Sequence, residues 1–122
     1  MYRLFLALCL ALPVTLPAAP QPDLLAALTD RDSLLIDVRS AEEFAAGTLP
    51  GAIRIGHEQI GEQIASIAPD KQQQIVLYCR SGRRSQLAEQ RLRELGYRNL
   101  INAGGYAELK RTLQRSPACS AC

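Results

Sequence analysis

A chain of 122 residues has room for one domain around one hydrophobic core. Its formal net charge is only +2, and it carries two Phe and no Trp, which excludes the charge surplus and the aromatic stacking platform of a nucleic-acid binder. Four cysteines are too few for a disulfide-framework protein. The chain opens with a positive amino end that includes Arg3, an apolar run over residues 4 to 12, Pro13 and Pro17, then Ala18 and Ala19. That is the layout of a cleaved secretory signal peptide over residues 1 to 19, so export, most simply to a bacterial periplasm, is expected. The apolar run is too short to span a bilayer comfortably, although a retained anchor is the alternative. Cys9 lies inside the run rather than at its end, unlike the cysteine of a lipoprotein signal. Cleavage leaves Cys79, Cys119 and Cys122, an odd number that asks for a specific explanation.

Beyond the leader, Pro22 with Leu24, Leu25 and Leu28 predicts a short helix. SLLIDV, residues 33 to 38, predicts a buried strand with Asp37 near its end. In SAEEFAAG, Ser40 caps a short helix, Glu43 completes a capping box and Gly47 ends it. LPGAIRI turns at Pro50 and Gly51 into a brief strand through Ile55. Ile60, Ile64, Ile67 and Ala68 fall at helical spacing over residues 58 to 68, and Pro69 stops them. QIVLYC, residues 74 to 79, is a continuous apolar strand. Residues 83 to 95 predict a helix with Leu87, Ala88, Leu92 and Leu95 on its apolar face, ended by Gly96. NLINAGG reads as a last strand and residues 106 to 113 as a closing helix. The domain is expected over residues 20 to 115, followed by a tail from 116 to 122. Strands alternating with helices at short spacing predict an α/β sandwich, a parallel sheet covered on both faces. Ligands of such sheets sit beyond the carboxyl ends of the strands, where Cys79 stands.

The stretch CRSGRRS, residues 79 to 85, carries the chemistry. A loop between a strand's carboxyl end and a helix's amino end collects unpaired N–H groups and forms an anion nest. Ser81 and Gly82 allow a tight turn, and Cys79 at its base is expected to be pushed toward thiolate by these donors and by Arg80, Arg83 and Arg84. Three cations at a helix start oppose its dipole, which makes sense only beside an anion. Residues 80 to 111 hold eight basic and three acidic residues, a surface that favours small anions. A thiolate so stabilised needs no histidine base, and the single histidine, His57, reads as a surface or capping residue.

Four blocks in order, LLIDVRSAEEFAAGTLPGAIRI, CRSGRRS, ELGYRNL and NAGGYAEL, resemble a single-domain rhodanese, a sulfurtransferase, over nearly the whole chain after the leader. The family's usual Gly-His stands here as Gly47–Thr48, and the short chain suggests four strands where the family has up to five. The resemblance implies that Cys79 takes the outer sulfur of an anionic donor such as thiosulfate, expels sulfite, and passes sulfur from a persulfide to cyanide, a thiol or a protein thiol. It implies that Arg80, Ser81, Gly82, Arg83 and Arg84 bind the donor and persulfide, and that Asp37, Arg39 and Ser85 give structural support. No cofactor, metal, nucleic acid or membrane is implied once the leader is removed. Related dual-specificity phosphatases need five residues between cysteine and arginine, whereas Cys79 and Arg84 enclose four, a loop suited to one sulfur atom. Thiosulfate is favoured over mercaptopyruvate, whose users tend to have smaller, neutral loop residues. The alternative is a carrier module that delivers sulfur or redox equivalents to a partner without appreciable turnover. Cys119 and Cys122 form a C-x-x-C pair that lacks the second pair of a zinc site. It reads as an incidental tail or local disulfide, or as a redox or sulfur relay for Cys79.

Overall fold

The computed structural model describes residues 24 to 115. The expected leader and the C-x-x-C tail lie outside the described residues. In chain order the elements are α1 (Leu24–Thr29), β1 (Leu34–Asp37), α2 (Ala41–Ala46), β2 (Ile53–Arg54), α3 (Ile60–Ile67), β3 (Ile75–Cys79), α4 (Arg83–Glu94), β4 (Leu100–Gly105) and α5 (Tyr106–Arg115). Among the described residues the sheet has four strands in the order β2-β1-β3-β4, every pair parallel.

The apolar run of β3 explains its central place. All five of its residues are buried, and their alternation serves two cores. Ile75, Leu77 and Cys79 face the cluster that includes Ile60 and Ile64 of α3 and Ala88 and Leu92 of α4. Val76 and Tyr78 face the opposite cluster, with Ala27 of α1 and Leu109 and Leu113 of α5. Each fully buried aliphatic side chain contributes about 1.5–3 kcal/mol, so the strand that ends in Cys79 is fixed from both sides. Two helical residues depart from expectation. Leu87 of α4, assigned to the apolar face by its period, is exposed, as is Ile67 of α3. The buried stripe of α4 runs instead through Ser85, Ala88 and Leu92.

Parallel strands bring their carboxyl ends to one edge, where the buried polar groups gather. Asp37 and Arg39 pair there, Nη2 to Oδ2 at 2.7 Å, with 0% and 6% of their side chains exposed. Arg39 also donates to the Gly47 carbonyl at 2.6 Å, and Thr48 donates to Asp37 Oδ2 at 3.1 Å. The pair thus braces the segment between α2 and β2. The Arg39 guanidinium lies 4.2 Å from the Tyr106 ring centroid, and Tyr106 stacks on Tyr78 at 6.2 Å. The Tyr78 hydroxyl meets Thr48 Oγ1 at 2.6 Å and accepts from the Leu49 N–H at 3.1 Å, while burial pushes its pKa up to about 12.

Candidate active site

Cys79 closes β3 with none of its surface exposed, and the chain curls around its sulfur before α4 begins. Gly82 makes that curl. Its φ of +95° is left-handed, and its N–H donates to Cys79 Sγ at 2.8 Å. The Ser85 hydroxyl stands 3.6 Å from Sγ, 2.7 Å from Asn102 Oδ1 and 3.0 Å from the Gly82 carbonyl oxygen. Burial alone would raise the pKa of the thiol. The Ser85 hydroxyl, together with backbone N–H groups of Ser85, Ser81 and Gly82, overcomes that and holds it below the ordinary value. The sequence expectation gave the arginines a share in this. The leading donors are instead a hydroxyl and the backbone.

β4 supplies the floor of the loop. Asn102 accepts from Ser85 and from the Gly104 N–H at 3.1 Å, and its amide donates to the Gly82 carbonyl at 3.3 Å. A Cβ on Gly105 would come within 2.9 Å of the Arg80 carbonyl oxygen, and one on Gly82 within 3.3 Å of Gly104 Cα. Gly105 of the strand and Gly82 of the loop therefore allow the two backbones to touch. Between Leu77 and Tyr78 the β3–β4 register slips, so that Leu77 faces Asn102 while Tyr78 faces Gly104. The extra residue is Ala103, and the bulge aims Asn102 at the loop.

The three loop arginines separate in the structure. Arg80 and Arg83 are exposed at the mouth. Arg84 is engaged: its Nη1 and Nη2 bind the two carboxylate oxygens of Glu43 at 2.7 and 3.0 Å, joining the first turns of α4 and α2. That fork lowers the Glu43 pKa to about 2 and keeps Arg84 charged. The expectation of Arg84 as a free anion-binding cation is thereby qualified. Glu43, read from sequence only as half of a capping box, does make that box with Ser40 and turns its other oxygen contacts on the site. Asn102 and Glu43 are the site residues that the sequence did not reveal, and a lone polar side chain in the predicted strand NLINAGG after its first residue was the available signal for Asn102. Among the described residues no cluster of His, Cys, Asp and Glu could hold a metal ion.

A family model described as Rhodanese-like domain matches residues 21–112. The chain belongs to the rhodanese-like family. This rhodanese-like chain is 39% identical over 74 residues to thiosulfate sulfurtransferase PspE of Escherichia coli, covering 61% of the chain and 71% of that protein. It is 34% identical over 105 residues to human thiosulfate:glutathione sulfurtransferase, covering 75% and 91%. Among solved structures, a rhodanese with anions from E. coli superposes with a TM-score of 0.61 at 38% identity, over 62% of this chain and 89% of that one. The fold is therefore the rhodanese fold, and the named relatives support sulfur transfer in general. Some relatives are larger tRNA-modifying proteins: a tRNA uridine(34) hydroxylase of Hamiltonella defensa is 30% identical over 72% of this chain but only 26% of its own length.

Proposed function

We propose that this protein is a thiosulfate sulfurtransferase that works through a persulfide on Cys79. The observation that carries the reading is the Gly82 N–H 2.8 Å from Cys79 Sγ, inside a loop whose other donors also lower the thiol pKa. The Cys79 thiolate attacks the outer sulfur of thiosulfate. A new S–S bond forms, the S–S bond of the donor breaks, and sulfite leaves with the electron pair. N–H groups that hold the thiolate then face the negative charge of the persulfide, as in an oxyanion hole. Arg80 and Arg83, exposed at the mouth, attract the dianion. In the second half, an acceptor nucleophile takes the outer sulfur and returns the electron pair to Cys79. The acceptor is cyanide or a thiol, and the human relative's name supports a low-molecular-weight thiol. Asp37, Arg39 and Ser85 position the frame, and export to a periplasm through the leader is part of the proposal, as is a redox or sulfur relay role for Cys119 and Cys122.

Intact-mass analysis after exposure to thiosulfate tests this. The expected result is a gain of one sulfur atom on Cys79, removed by cyanide and absent in Cys79→Ser. No turnover of thiosulfate with cyanide or a thiol, together with a stable complex with a partner protein, would favour the carrier module instead.

A further inference from the structure

Next to Arg84, on the α3 side, lies a hollow. Its volume is about 310 Å³, and Val38, Arg39, Arg54, His57, Gln59 and Arg84 line it. That is the lower end of small-molecule sites, roughly 300–1,000 Å³, and is roomy for an anion as small as thiosulfate. Arg84 links the hollow to Cys79. It stands second in α4, it interacts electrostatically with Cys79, and it forms part of the hollow's wall.

The cations of the wall are not equivalent. Arg39 is engaged by Asp37 and Arg84 by Glu43. Arg54, at the end of β2, has no carboxylate partner among the described residues; its Nη1 donates to the Arg39 carbonyl at a long 3.4 Å. Its guanidinium rests over Gly56, where a Cβ would stand 3.5 Å from Nη1 and 3.3 Å from Gln59 Oε1. His57 follows, with 27% of its side chain exposed. The carboxylate lining the hollow, Glu58, is 84% exposed and 3.9 Å from His57 Nε2. The hollow thus presents one half-buried guanidinium without a carboxylate partner, in a wall it shares with Arg84.

We propose that this hollow seats the sulfur acceptor and selects low-molecular-weight thiols that carry carboxylates, with Arg54 as the residue that sets the preference. The inference rests on the sulfurtransferase reading and names the acceptor class of that site. An acceptor carboxylate on Arg54 leaves the thiol directed past Arg84 toward the loop. The thiol loses its proton to solvent, and its sulfur attacks the outer persulfide sulfur. The acceptor–sulfur bond forms, the bond from that sulfur to Cys79 Sγ breaks, and the electron pair returns to Sγ. The product is the acceptor persulfide anion, and no oxidant or reductant is consumed.

The test uses protein preloaded with thiosulfate, with loading measured by intact mass on the same sample. Loss of the extra sulfur is followed with glutathione (anionic), 2-mercaptoethanol (neutral) and cysteamine (cationic), each rate divided by the thiolate fraction present. The wild type is expected to prefer glutathione over 2-mercaptoethanol. Arg54→Ala should cut that ratio about threefold to fivefold, the scale of one partly exposed charge contact. Arg54→Lys should restore most of it, and Arg54→Glu should move the preference to cysteamine, which a merely structural role would not do. An equal ratio in wild type, or one that ignores the charge at position 54 while loading proceeds, overturns the subsite and leaves the sulfurtransferase standing. Absence of loading overturns both.

Discussion

The N–H of Gly82 points at the sulfur of Cys79 from 2.8 Å, and a left-handed backbone with φ of +95° at Gly82 brings it there. A side chain at that position meets two obstacles. The left-handed region costs an L-residue about 1–2 kcal/mol, and a Cβ would press on Gly104 Cα at 3.3 Å. Gly82→Ala should therefore lower the melting temperature by about 5 °C or more. It should also turn the N–H away from Sγ and raise the thiol pKa. Differential scanning calorimetry reads the first effect, and the pH dependence of alkylation by iodoacetamide reads the second. A variant with unaltered alkylation would show that this donor does not hold the thiolate.

Asn102 acts on the same sulfur through Ser85, whose hydroxyl it holds at 2.7 Å. Asn102→Asp keeps the volume but places a negative charge beside the thiolate and captures the hydroxyl proton. The thiol pKa should rise, because a nearby like charge disfavours the anion. At neutral pH, loading by thiosulfate should slow about tenfold, the effect of about 1.4 kcal/mol, and recover as the pH is raised. Stopped-flow loading rates across pH check this; a pH-independent loss would point to a disrupted fold rather than a titrating sulfur.

How much of this was legible follows from how far apart the partners lie in sequence. The nest was readable because its parts are contiguous: strand end, Ser81 and Gly82, and helix start fall within residues 79 to 85. Likewise the capping box of α2 needs only Ser40 and Glu43. Asn102 reaches Ser85 across 17 positions and Glu43 reaches Arg84 across 41, distances over which local pattern carries no information. Leu87 shows a different limit. Consecutive helical residues differ by about 100°, so a leucine next to Ala88 satisfies a count of apolar residues yet points away from the stripe through Ser85, Ala88 and Leu92. Helical periodicity named the helix correctly and misplaced one residue of its face.

The fork between Arg84 and Glu43 sets an acid-stability expectation. The Arg84 guanidinium, against a smaller opposing effect of burial, lowers the Glu43 pKa from 4.5 to about 2. A depressed carboxylate contributes stability that is complete above its unfolded pKa and lost as the pH falls through its folded one. Both side chains are 30% exposed, so solvent screening limits the pair to on the order of 1 kcal/mol. The urea midpoint of Glu43→Gln should sit below that of wild type at pH 7, and the gap should close between pH 4.5 and 2. Release of Arg84 in the same variant should lower the KM for thiosulfate about twofold at low ionic strength, with the gain lost in salt. An unchanged KM would mean that Arg84 contributes to the frame and not to the donor's field.

The buried pair of Asp37 and Arg39 gives the sharpest contrast between single and double substitution. Asp37 has no exposed side-chain surface and accepts from Arg39 Nε, Arg39 Nη2 and Thr48 Oγ1. Removing one partner strands a buried charge, which costs about 3–5 kcal/mol. Removing both and filling the space with apolar side chains is often close to neutral. Asp37→Leu alone should lose most of the stability of a domain this size, whereas Asp37→Leu with Arg39→Met should regain much of it in urea unfolding. The recovery has a ceiling, because Arg39 also donates to the Gly47 carbonyl and covers the Tyr106 ring, contacts that methionine replaces only as packing. If the double variant is no more stable than the single one, the pair's value lies in those outer contacts and in fixing the segment between α2 and β2, not in the neutralisation of Asp37.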